Sequence, residues 1–233
     1  MKISRVSILC FSLISAAVVG TAATPAQDHK FLSQLYQDLL NRSPNRQEQT
    51  LYTHVLGSGG LRTQIAGAIT SSSEYLKDQI DQYFGEFLKR PATAGEVTFY
   101  LSLVQNGATD DDVKSGIFGS DEYYRLAGGT DLGFLNELFQ DVLGRSIDQP
   151  TAAAFENLLT KGTPRQTIAA MILQSVEADQ REVGEFFSKL LHRAPQPSEL
   201  SNYTQMLQLK AKDELVIDLI CGSDEYFQNA ISK

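Results

Sequence analysis

Leu40-Asn41-Arg42-Ser43-Pro44 closes the first long amphipathic segment of the chain and returns three times, as Leu88-Lys89-Arg90-Pro91, Leu143-Gly144-Arg145-Ser146 and Leu191-His192-Arg193-Ala194-Pro195. Each copy has Leu two residues before the Arg and an aromatic six before it: Tyr36, Phe84, Phe139 and Phe187. Counting from the Arg, position 10 is Tyr52, Tyr100, Phe155 and Tyr203, and position 27 is Ile69, Ile117, Ile172 and Ile220. Position 30 is Ser72, Ser120, Ser175 and Ser223, and position 32 is Glu74, Glu122, Glu177 and Glu225. Position 33 is Tyr75, Tyr123 and Tyr226, with Ala178 as the exception in the third copy. A fixed internal period of this kind marks a repeat architecture, because one unit cannot bury its apolar face alone and neighbours must stack.

The spacing has a second level. Copies one and three share Phe31-Leu32 with Phe134-Leu135, and Ile65-Ala66 with Ile168-Ala169. Copies two and four share a pentapeptide, Gly119 to Tyr123 and Gly222 to Tyr226. The sequence therefore reads as a duplicated pair of repeats, module one over residues 27–129 and module two over 130–233. The boundary falls at Gly128-Gly129.

Each copy reads as helices. Leu32, Leu35, Tyr36, Leu39 and Leu40 recur at helical spacing and form one apolar stripe. Asn45 with Glu48 and Thr93 with Glu96 have capping-box spacing, a third helix is expected to begin at a cap such as Thr163, and the recurring Ser at position 30 suits an N-cap. No Pro interrupts Glu74 to Leu88 or Glu177 to Leu191, so the last helix of one copy is expected to run on into the first of the next. No long alternation of apolar and polar residues suggests a strand. The fold class expected is all-α, four tandem helical repeats arranged as two duplicated modules. The turn Arg and the Glu 32 residues later are expected to pair within each copy.

The pattern aromatic-x-x-x-Leu-x-Arg-x-Pro, followed by an aromatic ten residues past the Arg, a Gly-containing loop and Ser-x-Glu-Tyr, resembles the secreted bacterial domain-of-unknown-function family 4214. The resemblance runs from about Phe31 to Phe227. It implies an all-helical module of exported or cell-surface proteins, with no activity to carry over. Where that family usually has Gly six residues after the Arg, this chain has Glu48, Glu96, Thr151 and Glu199. The repeat is also distantly similar to the helical domain of phycobilisome linkers, a role that works on the cytoplasmic side and that the leader counts against.

That leader is residues 1–26. Lys2 and Arg5 precede an apolar run from Val6 to Val19, which ends in small residues around Ala22, Ala23 and Ala26. Basic start, apolar middle and small-residue end make a signal peptide, with an uncleaved anchor as the rival reading. Its removal takes two positive charges and no negative ones, so the formal charge of −8 becomes −10. An acidic protein repels phosphate backbones and anionic lipid heads, which argues against nucleic acid and the membrane surface as partners. Cys10 lies in the leader without lipid-modification spacing, and Cys221 is then the one remaining thiol, so packing and not a disulfide framework must hold the fold.

Motifs with chemistry are scarce. His29, His54 and His192 occupy different places in the repeat and have no metal-ligand spacing. Thr109-Asp110-Asp111-Asp112 lacks the alternating acids, Gly and terminal Glu of a calcium loop and reads as acids at a helix N-terminus. No nucleophile elbow or phosphate-cradling loop is present. The sequence thus names no catalytic, cofactor-binding, metal or ligand-binding residue. The expected function is a non-enzymatic, secreted module for interaction, scaffolding or adhesion, its partner an envelope or extracellular protein or glycan. The alternative is a secreted, hydrolase-like enzyme with its site in the cleft between the modules.

Overall fold

The computed structural model describes residues 23–232, and among them it has fourteen helices and no strand. Copy one holds α1 (Pro25–Leu40), α2 (Arg46–Gly57), α3 (Arg62–Thr70) and α4 (Ser73–Phe87). Copy two reuses α4 and adds α5 (Ala94–Gln105), α6 (Asp110–Phe118) and α7 (Asp121–Leu126). Copy three holds α8 (Asp131–Leu143), α9 (Gln149–Thr160), α10 (Arg165–Leu173) and α11 (Val176–Leu191). Copy four reuses α11 and adds α12 (Pro197–Gln208), α13 (Asp213–Cys221) and α14 (Asp224–Ser232). Two helices, α4 and α11, thus run from one copy into the next as their Pro-free sequences require, whereas Gly128 and Gly129, both at positive φ, break the chain between α7 and α8. None of these helices is long and apolar enough to cross a membrane.

Local signals explain the boundaries. Asn45 and Thr93 complete their capping boxes with Glu48 and Glu96, and Ser72, Ser120, Ser175 and Ser223 each accept the backbone N–H three residues on. The expected Thr163 cap is not one: Pro164 holds the N-cap of α10, and no side chain caps that end. The reason is the proline, which sets the entry angle by itself and moves the helix start one residue on. Residues 1–22, with most of the expected leader and Cys10, lie outside the described residues. The Thr24 hydroxyl and Gln27 form a capping box at the start of α1. Cleavage after Ala22 or Ala23 keeps that cap, and cleavage after Ala26 deletes it.

The duplicated halves interlock. A shift of 103 residues maps Arg42 onto Arg145 and Arg90 onto Arg193, and the same shift relates their packing. The most extensive helix pairs are α3 with α13 and α6 with α10, so copy one docks on copy four and copy two on copy three. Matching contacts cross both seams. Arg62 pairs with Asp224 and lies 4.6 Å over the Phe227 ring; Arg165 pairs with Asp121 and lies 4.3 Å over Tyr124. The Tyr226 hydroxyl donates to Asp38 and the Tyr123 hydroxyl to Asp141, both at 2.7 Å. One continuous apolar core, containing all four position-27 isoleucines and Cys221, runs through the four copies.

The shared pentapeptide acquires a cause here. A Cβ on Gly119 would lie 2.6–2.8 Å from Gln166, its backbone included, and one on Gly222 would lie 2.2–3.0 Å from Thr63, again including backbone. Copies one and three have Ser71 and Gln174 at this place. Gly119→Ala is therefore expected to cost about 1–3 kcal/mol, because the obstructing atoms belong to a helix start that cannot rotate aside. Gly85→Ala, with open space around it, is expected to cost nothing or to stabilise slightly through helix propensity. Urea melts of the two variants check the contrast.

The repeated Arg is the hinge pin of each copy. Arg90 Nε and Nη2 donate to the two Glu122 oxygens at 2.6 and 2.7 Å, and Arg42, Arg145 and Arg193 hold Glu74, Glu177 and Glu225 in the same bidentate way. A second carboxylate joins in three copies. Glu48, Glu96 and Glu199, six residues after their Arg, accept from the same guanidinium while closing their own helix caps. The guanidinium also lies 5.0–5.3 Å over the aromatic six residues before it, and that ring packs against the aromatic ten residues after. Hydrogen bonds from Arg90 hold the Glu96 carboxyl down at about 2. Thr151 replaces the second Glu in copy three, where Arg145 is 44 % exposed against 32 % for Arg90. After allowance for solvent screening, Arg90→Ala is expected to cost about 1–2 kcal/mol, and Arg145→Ala clearly less. A double-mutant cycle of Arg90→Ala with Glu122→Ala should show coupling; additive losses would count against the clamp.

Candidate functional site

The two-fold relation makes deviations from it informative. A cavity of about 260 Å³ is lined by the two long shared helices α4 and α11 and by the N-terminal ends of α6 and α13. These are two-fold-related pairs of elements, and Asp110 and Asp213, the first residues of α6 and α13, correspond across the symmetry. Asp141 likewise corresponds to Asp38, but four other polar positions of the lining do not match. Tyr75 faces across from Ala178 in this correspondence, Tyr83 from Phe186, Gln79 from Glu182 and Lys114 from Ile217. The scaffold repeats, and the polar content of its central cavity is unique.

Lys114 is the centre of that content. Its ammonium donates to Glu182 at 2.5 Å, lies 3.5 Å from Asp213, and sits 5.5 Å from the Tyr83 ring centroid. The side chains of Lys114, Glu182 and Asp213 retain 11, 21 and 15 % of their exposure. Asp110 and Glu182 both act on the charge of Asp213, so three acids are grouped beside one cation.

Burial sets the electrostatics. It pushes Glu182 and Asp213 up to about 7 and Asp110 upward as well, and the negative neighbours add to the rise while Lys114 opposes it. A helix N-terminus favours a carboxylate at the first residues of α6 and α13, but here desolvation and like charge outweigh it. Burial alone would lower Lys114; Glu182, Tyr83, Asp213 and Asp110 together hold it well above its ordinary value, so it stays charged. Tyr75 and Tyr83 are 4 and 8 % exposed and line the cavity in the field of Asp110 and Asp213. Their hydroxyls have no hydrogen-bond partner among the described residues, whereas their repeat counterparts Tyr123 and Tyr226 are bonded to Asp141 and Asp38.

The sequence-level candidates fall as follows. Thr109 and Asp112 cap α6 as read, but Asp110 between them lines the cavity, a role its helix-start position did not reveal. The four Arg–Glu clamps stand at the turns, outside the cavity lining. His29, His54 and His192 are also outside it, and the buried Cys221 thiol is pushed up by desolvation. No group of three or more His, Cys, Asp or Glu side chains among the described residues is arranged to hold a metal ion. Sequence reading missed Lys114 and Glu182 altogether. The one available signal was the position-33 exception, since Ala178 is the cavity-side counterpart of Tyr75.

No curated protein and no solved structure matches the chain. A family model does match, twice, over residues 13–79 and 115–182, and the two matches end at Gln79 and Glu182, corresponding positions on the cavity helices α4 and α11. The second match runs across Gly128-Gly129, so the matched unit there begins in the last helices of the preceding copy. With over half of its length covered by the two matches, the chain belongs to the family described as Domain of unknown function (DUF4214).

Proposed function

We propose that the protein is an exported, non-enzymatic helical module that works by binding, and that its binding site is the cavity around Lys114. The leader composition supports export to the periplasm, cell surface or medium, and an envelope or extracellular protein or glycan is the partner class that goes with it. One observation carries the binding reading. The repeats spend their shared polar residues on clamps and caps, and the polar residues that break the internal symmetry converge on one cavity. The repeated framework does not dictate Lys114, Glu182, Tyr75 and Tyr83 there, since Ile217, Gln79, Ala178 and Phe186 stand at the corresponding positions. Buried polar groups of this kind are costly to the fold and mark a site.

The enzyme reading has one observation in its favour: Glu182 and Asp213 ionise near 7, where a general acid or base works. Against it, the cavity lining has no Ser, Thr, Cys or His. The test is capture from the envelope fraction of the exporting cells on immobilised mature protein, wild type beside Glu182→Gln, which copies the counterpart residue Gln79. A partner held by the wild type and released at least tenfold faster by the variant is the expected result. Equal capture by both, or none, would overturn the cavity as the binding site. Cleavage of the captured partner, lost in Glu182→Gln, would establish the enzyme instead.

A further inference from the structure

We infer that the cavity takes a small organic cation, an ammonium group on a short apolar stem, held among Asp110, Asp213 and Glu182 with its stem against aromatic rings. The inference rests on reading this cavity as a binding site. Asp110, Asp111, Glu182 and Asp213 line the cavity with Lys114, which pairs with Glu182 and Asp213 alone, so acid outnumbers base around it. The remaining charges around it do not change the sign. Arg181 is spent on Glu185 and on the carbonyls of Gln140 and Asp141 at the end of α8. From α4, α8 and α13, Glu86, Asp141 and Glu214 add acid, and Lys189 is the one further cation in the lining.

Lys114 does not serve as an anion receptor, because Glu182 and Asp213 already occupy it. The unmatched capacity is acceptor capacity. Tyr75 and Tyr83 add a second, independent indication: each is more than nine-tenths buried, and each brings to the cavity a hydroxyl with no hydrogen-bond partner among the described residues. A hydroxyl can accept from an ammonium, and aromatic faces such as Tyr83 and Phe87 attract a cation and shelter its stem. Volume sets the size: about 260 Å³ is at the small end of ligand pockets and admits a short amine, free or at the end of a larger partner's side chain. Burial makes Glu182 and Asp213 hold protons more readily, and an entering ammonium displaces such protons to the solvent.

The experiment titrates the full mature chain with n-butylammonium, n-butanol and butyrate, three probes of one stem and different charge. Aromatic proton NMR of the tyrosine rings is the readout, and calorimetry in two buffers of different ionisation enthalpy counts protons. Butylammonium is expected to shift the Tyr75 and Tyr83 signals saturably near pH 8, to release protons, and to bind at least tenfold more weakly near pH 5. Asp213→Asn, which keeps shape, should weaken it at least tenfold while the circular dichroism stays unchanged. Equal shifts by butanol, or no saturable shift by butylammonium, would overturn the cation inference. Tight binding of butyrate would overturn it too, yet leave the cavity standing as a binding site. The capture experiment tests that broader reading separately.

Discussion

Lys114→Met is expected to lower the stability of the protein by about 3–5 kcal/mol near pH 8, the cost of leaving buried charges without their partner. Among the described residues the lysine is the one cation in contact with these acids, at 2.5 Å from Glu182 and 3.5 Å from Asp213. Methionine keeps the length and apolar body of the side chain, and the counterpart position is filled by Ile217, so the scaffold tolerates an apolar residue there. What is lost is charge. Near pH 5 the carboxyls are protonated in the variant and the loss should shrink to a small fraction of its value near pH 8. A surface control, Lys161→Met, should move stability by no more than about 0.5 kcal/mol at either pH. Urea melts at the two pH values read the difference, and a loss independent of pH would mean that Lys114 matters for packing alone.

The architecture was legible because it depends on local rules repeated four times. Apolar spacing gave the helices, the Pro-free stretches gave α4 and α11, and Gly128-Gly129 gave the break between α7 and α8. Even the Arg42–Glu74 pairing followed from recurrence, since two polar residues kept at one spacing in four copies have a shared geometric task. The second clamp partner did not follow. Glu48, Glu96 and Glu199 already had a sufficient local explanation as cap residues, and a residue can do two jobs without any mark in sequence. The cavity was still less visible. Asp110 and Asp213 are ordinary acids at helix starts, and Lys114 is one lysine on a helix. Their meeting depends on the seams that bring copy one to copy four and copy two to copy three, which tandem order does not express. Only the departures from the repeat carried a trace, and Ala178 in place of a Tyr was the clearest.

Stability is expected to peak in mildly acidic solution and to fall as pH rises from about 4 to 7, with Asp213 contributing the steepest part. The direction follows from linkage. Burial beside other acids raises Asp213 and Glu182 to about 7, and burial raises Asp218 to about 6 although the Thr70 hydroxyl donates to it. A group raised on folding holds its proton in the native state after the unfolded chain has released it, so its contribution is complete below the unfolded value and is lost as pH climbs through the folded one. Glu96 and the other clamp glutamates act the opposite way. Arg90 holds Glu96 at about 2, so its contribution is present above the ordinary carboxyl range and disappears only as pH falls toward 2. Between the two windows, near pH 4–5, both sets favour the native state. The rise to about 7 puts Asp213 alone on the order of 4–5 kcal/mol before its coupling to Asp110 and Glu182 is shared out. Asp213→Asn should therefore stabilise the protein near pH 8 by about 1–3 kcal/mol, since a neutral amide relieves the acidic group while Glu182 keeps Lys114 paired. The same variant should flatten the pH profile between about 5 and 8 and leave the acid limb below 4 unchanged, because that limb belongs to the clamps. Thermal melts of wild type and variant across pH 3–9 test it. A wild-type profile that rises toward pH 8, or an Asn variant less stable there, would show that the acidic group is held ionised by contacts other than Lys114.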